Sequence, residues 1–195
     1  MLLGLLGCAP RPAQQDLVAP PGPADSGPPA AMTEADPAPG PAALGLPEAV
    51  SAWWPEIVTA AEHHGVSPDL VALVVWLESN GEPTAVSPAG ALGLMQLMPG
   101  TATKVAQARG EPPPTHDELL DPQRNLDLGC AHLAELGATV GAEPLDGAAV
   151  HRLAIAYNGG AKVLAAWQRG EPLPAETERY AAAMRERWEA RSSAP

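Results

Sequence analysis

Apolar positions recur with a helical period along most of this chain, most densely in Leu70-Val71-Ala72-Leu73-Val74-Val75-Trp76-Leu77-Glu78-Ser79-Asn80. Val71, Val74 and Val75 fall at i, i+3 and i+4, and Glu78 extends the same stripe at i+7. With Ser67 as cap and Pro68 in the first helical position, a helix is predicted to about Ser79. An earlier helix starts at Trp53 and stops at Gly65. Gly81 and Pro83 break the pattern, and residues 84–93 read as a loop. Pro99 opens a helix through about Gln107, and His116–Leu120 forms a short turn or helix. Further helices are predicted from Asp121-Pro122 to about Thr139, over Gly147–Asn158, over Lys162–Arg169 and over Thr177–Arg191. No segment alternates with the period of a strand, so the domain reads as all-α, without internal repeats.

Glu78 stands out in this pattern. An ionised carboxylate on an apolar stripe is costly unless it is paired or its pKa rises. That makes it a candidate general acid.

The helical pattern starts only after residue 50. Eleven prolines fall between Pro10 and Pro47, among Ala, Gly and a few acids. Such a segment buries too little apolar surface to offset chain entropy. Residues 9–50 are therefore expected to be a disordered Pro/Ala/Gly-rich linker, partly polyproline II, and residues 51–191 the folded helical domain that holds Glu78. The opening residues 1–8, Met1-Leu2-Leu3-Gly4-Leu5-Leu6-Gly7-Cys8, resemble a bacterial lipobox, although the apolar part is short and lacks a basic flank. That resemblance implies lipidation at Cys8 and anchoring to a membrane rather than spanning it. No later segment is long and apolar enough to span a bilayer.

The chain has 195 residues, 46% of them hydrophobic, a net charge of -12 and a pI near 4.7. No Lys/Arg patch is visible, which argues against nucleic acid as a partner. Phenylalanine is absent, so Trp, Leu, Val and Ala fill the core. Cys130, in a helical run, reads as a buried inert thiol. His63, His64, His116, His132 and His151 show no metal-ligand spacing with cysteines or acids, so no metal and no cofactor are expected.

Four ordered blocks carry a resemblance. They are Glu78-Ser79 with Ala85–Ala102, Leu120–Leu126, Ala154-Ile155-Ala156-Tyr157-Asn158-Gly159-Gly160, and Glu176-Thr177-Glu178-Arg179-Tyr180. Together they resemble the soluble lytic transglycosylases, bacterial enzymes of glycoside hydrolase family 23. The resemblance spans about Trp53 to Trp188 and implies a lysozyme-like multi-helix fold with a glycan-binding groove. It also implies a cell-envelope location, peptidoglycan glycan strands as partner, and a monomer.

The resemblance further implies that one Glu works alone. Glu78 would protonate the glycosidic oxygen between MurNAc and GlcNAc. It would then take the proton of the MurNAc 6-hydroxyl as that group attacks its own C1, giving a 1,6-anhydro-MurNAc end. Intramolecular attack supplies the effective molarity that suits a site with no second catalytic carboxylate. Ser87 matches a position beside the catalytic group, with a plain turn residue before Pro88 as the alternative. Gln96 and Met98 match substrate-contacting positions; Gln96 could instead be an exposed helix cap, and Met98 could fill the core. Tyr157 and Asn158 are expected to bond near Glu78 and shape its pocket, or else to be a buried Tyr and a helix-ending Asn. Glu176 and Tyr180, one turn apart, match positions that bind the glycan strand, or are an exposed Glu and a core Tyr. The family commonly has an aromatic residue at the position of Gly81, and its absence is expected to loosen the loop after Glu78. Gly159-Gly160 replaces Ala-Gly. Two rival readings remain open: a lysozyme-like hydrolase on the same fold, and a catalytically weak peptidoglycan-binding or assembly module.

Overall fold

The computed structural model of the chain describes residue 40 and residues 43–191. The lipobox-like segment with Cys8 and most of the linker lie outside the described residues.

Among the described residues eight helices form and no strand does: α1 (Glu48–Ser51), α2 (Trp54–His64), α3 (Pro68–Ser79), α4 (Pro99–Ala108), α5 (His116–Leu120), α6 (Pro122–Val140), α7 (Gly147–Gln168) and α8 (Ala175–Ala190). The all-α expectation holds. Pro68, Pro99 and Pro122 each open a helix at its first position. Gly65 and Gly141 end α2 and α6 in left-handed conformation. Ser67 sits at the N-cap of α3 as expected, but its side chain makes no capping bond there. Side-chain caps come instead from Asp121, Asp146 and the reciprocal Thr115–Glu118 pair.

Helix α3 is the axis of the domain. Residues Leu70 to Val75 are at most 1% exposed, so the helix is apolar on every face through its middle, not only on the stripe that ends in Glu78. It packs on α1, α2 and α8, while α6 packs on α2, α4, α5 and α7, and α7 packs along α8.

Two expectations differ from the structure. The two helices predicted over Gly147–Asn158 and Lys162–Arg169 run on as α7, bent at Gly160. There φ is 73°, a conformation open to glycine at little cost. Part of the segment assigned to the linker also belongs to the packed domain. Leu44 and Val50 are 2% and 1% exposed in the core. Arg187 of α8 holds this segment by donating to the Leu44 carbonyl at 3.2 Å while its guanidinium lies 5.0 Å from the Trp76 ring centre. A proline-rich composition hides such anchors, because two apolar side chains suffice once a groove exists to receive them.

Candidate active site

Glu78 occupies the half-buried last turn of α3, beyond the buried Leu70–Val75 run and beside the loop 85–98. The sequence ties these parts together locally. Ser79 Oγ donates to the Leu94 carbonyl at 2.8 Å and accepts from the Gly81 amide at 3.2 Å. Asn80 turns the chain out of the helix at φ 52°, and Trp53 Nε1 donates to the Gly81 carbonyl at 2.9 Å.

Gly81 is therefore not a loose point. A Cβ there would stand 2.4 Å from the Ala49 carbonyl oxygen, at a φ of 84°. The expected loosening is replaced by close packing on α1, and no larger side chain fits.

Burial pushes the Glu78 carboxyl up to about 7 from its ordinary 4.5. The approach of the Tyr180 hydroxyl pulls in the opposite direction, and the negative charge of Glu176 adds to the rise. Among the described residues no cation pairs with Glu78 and no donor makes a hydrogen bond of good geometry to it. The buried Tyr180 hydroxyl itself lacks a well-formed partner. It approaches the carboxyl closely enough to influence its titration without completing a bond.

Tyr157 lies within reach of the Glu78 charge. Its hydroxyl donates to the Met95 carbonyl at 2.8 Å. Burial holds both tyrosines far above their ordinary titration range, so both stay neutral. The His132 ring packs 5.7 Å from that of Tyr157, and burial keeps its pKa low. Burial likewise pushes the free Cys130 thiol up and makes it inert.

The remaining predicted residues divide. Glu176 is exposed and Tyr180 is 9% exposed, yet both act on Glu78. Ser87 Oγ accepts from the Ala91 amide at 2.9 Å, a turn bond that leaves its hydroxyl proton free. Gln96, at φ 46°, spends its amide nitrogen on the Ala85 and Gly93 carbonyls at 3.0 and 2.9 Å. Its side-chain oxygen stays open as an acceptor, and the amide stiffens the loop rather than capping a helix. Met98 is 43% exposed and does not fill the core. With Val86, 57% exposed, it gives the loop an apolar outer surface. Asn158 is half-buried two residues before the bend of α7.

Sequence reasoning missed Asn125. It is fully buried, donates to the Leu92 and Leu119 carbonyls at 2.9 and 2.8 Å, and accepts from the Met95 amide at 2.8 Å. It thus fastens the loop beneath Glu78 to α5 and α6. Gly93 is fitted to it, because a Cβ there would lie 2.4 Å from Asn125 Nδ2. The signal was present: Asn125 shares one face with the buried Leu128 and Gly129 at i+3 and i+4.

The chemistry available here is proton donation from a neutral carboxyl, walled by two neutral tyrosines and tied to a stiff loop. Solved structures with this helical arrangement are lytic transglycosylases. An inactive mutant of the lytic transglycosylase Slt from Pseudomonas aeruginosa matches at a TM-score of 0.61 and 24% identity, covering 71% of this chain and 24% of that chain. The 70-kDa soluble lytic transglycosylase in complex with bulgecin A matches at 0.55 and 23%, covering 72% and 22%. At these identities the likeness establishes the fold.

Residues 56–178 match the family described as the transglycosylase SLT domain, and the chain belongs to that family. Sequence relatives include the endo-type membrane-bound lytic murein transglycosylase A of Klebsiella pneumoniae subsp. pneumoniae and of Citrobacter koseri, 40% and 41% identical over 88 residues. The match covers 43% of this chain and 42% of each relative. No helix among the described residues is long and apolar enough to cross a membrane.

Proposed function

We propose that this protein is a peptidoglycan lytic transglycosylase of glycoside hydrolase family 23 that cleaves the β-1,4 bond between MurNAc and GlcNAc. The observation that carries the reading is the Glu78 carboxyl raised to about 7 with no cation beside it. Such a group keeps a large protonated fraction near neutral pH and can donate to the glycosidic oxygen. Positive charge developing at C1 then faces the carboxylate just formed. That carboxylate takes the proton of the MurNAc 6-hydroxyl as its oxygen bonds to C1, which closes the 1,6-anhydro ring and regenerates neutral Glu78. Each turnover thus begins and ends with the same protonation state.

The other roles follow from what each side chain leaves free. Tyr180 stabilises the carboxylate as it forms, because its unpartnered hydroxyl is beside it. Tyr157 holds the Met95 carbonyl and the loop in place. The open Gln96 side-chain oxygen accepts from the sugar N-acetyl group, and the Ser87 hydroxyl proton is free to donate to the strand. Met98 offers an apolar edge to a sugar ring, and Asn158 and Glu176 border the strand. The catalytic domain on this reading runs from about Leu44 to Arg191, acts as a monomer, and is held to the envelope through a lipid on Cys8.

Muropeptide analysis tests the proposal. Digestion of purified peptidoglycan by the full chain should yield 1,6-anhydro-MurNAc ends by mass spectrometry. Reducing ends would reassign the chain as a hydrolase, and intact glycan would leave it a binding module. Uptake of labelled fatty acid, lost in Cys8→Ser, checks the anchor.

A further inference from the structure

His63 and His64 form the last turn of α2, and Asp127 lies in the second turn of α6. One ligand atom from each lies within 4.8 Å of the others. The cluster borders a concavity of about 800 Å³ lined by α2 and the start of α6, which contains none of the residues around Glu78. We propose that these three side chains are a binding site for a divalent transition-metal ion of the zinc type, separate from Glu78 and bridging α2 to α6.

The donor set suits such an ion. Two imidazoles and a carboxylate are the ligand types of zinc sites that keep a fourth position open. Donors about 2.0–2.2 Å from a tetrahedral ion stand about 3.3–3.6 Å apart, so a cluster spread over 4.8 Å must tighten by roughly an ångström or more. His63 can supply that movement, being exposed and without a hydrogen bond among the described residues. His64 Nε2 and Asp127 Oδ1 already face each other at 2.7 Å. On binding, the imidazole proton is carried on Nδ1, the Nε2–Oδ1 gap opens to about 3.3–3.6 Å, and both atoms turn lone pairs to the ion.

The surroundings fix the carboxylate and balance its charge. Asp127 Oδ2 accepts from Arg109 and Arg124, each at 3.0 Å, which leaves Oδ1 presented to the histidines. Two guanidiniums would repel a cation, but Glu111 pairs with both, at 2.8 Å to Arg109 and 2.5 Å to Arg124. Those two arginines and two acids sum to zero charge. The C-terminal end of α2 favours a cation by its dipole. Glu62 and Glu56 line the same concavity, and Glu56 Oε2 is shielded from water with no hydrogen-bond partner.

Zinc chloride titrated by calorimetry into the metal-free full chain near pH 7.5 tests this. The expected result is one equivalent bound, weakened at least tenfold in His63→Ala and unchanged in His116→Ala, the exposed control. Cobalt(II) should show the absorption of a nitrogen- and oxygen-ligated ion with no thiolate charge-transfer band. Absence of binding, equal affinity in His63→Ala, or a thiolate band would each overturn the site. None of these readouts depends on glycan cleavage.

Discussion

Two carboxylates half-hidden in this domain titrate in opposite directions. Glu78 and Asp127 both lose water, and burial raises both. At Glu78 little opposes it, and the group rises to about 7. At Asp127, hydrogen bonds from His64 and Arg109 and the nearby positive charges outweigh burial, and the pKa falls. Desolvation alone therefore does not make an acid; desolvation without a counter-charge does. The tyrosines beside Glu78 matter for the same reason. They exclude water and stay neutral, so they do not stabilise the carboxylate as an arginine would.

The contrast can be broken by substitution and by pH. The largest effect should be on cleavage: Glu78→Gln removes the proposed general acid and should lower turnover at least about 10³-fold, with circular dichroism unchanged. Turnover near the wild-type rate would end the assignment. For the wild-type protein, kcat/KM should fall about tenfold per pH unit above 7, because the starting state needs neutral Glu78.

Stability should move oppositely at the two sites. Folded Glu78 holds a proton between its unfolded value of 4.5 and its folded value of about 7, so its contribution is complete below 4.5 and fades as pH rises through 7. In urea unfolding, Glu78→Gln should therefore be more stable than the wild type at pH 8, by about 1–3 kcal/mol, and nearly equal at pH 4. Asp127 is lowered, so its contribution is present above 3.8 and is lost as pH falls through its folded value. Asp127→Asn should cost about 1–2 kcal/mol at pH 7, a difference that closes in acid. Parallel pH slopes for the two variants would refute the contrast. The smallest effect is that of Tyr180→Phe. Losing the hydroxyl that lowers Glu78 should move the alkaline limb of the rate profile to higher pH.

Much of the fold is legible in the helical period and its breakers. Pro68, Pro99 and Pro122 open helices, and Gly65 and Gly141 close them, because these residues restrict or free the backbone locally. The bend at Gly160 looked like a gap between helices because two glycines break periodicity whether the chain stops or only turns. The anchors Leu44 and Val50 were illegible because their groove is built by α3 and α8. At the site, Glu78 announced itself as a carboxylate on an apolar stripe. For Asn125 the buried helical face was legible but not its role, since its three backbone partners come from two other segments.

The sequence by itself determined the helices, the position of a carboxyl at the end of the most apolar one, and the ordered blocks that mark the family, because each depends on neighbours a few residues apart. Tertiary structure decided the rest. It buried Glu78 and kept cations away from it, so that desolvation outweighs the opposing pull of the Tyr180 hydroxyl and raises its pKa. It set Asp127 beside His64 across 63 residues, where no spacing rule would join them. A pKa and a ligand set depend on what surrounds a group in space, and that is fixed only when distant segments pack.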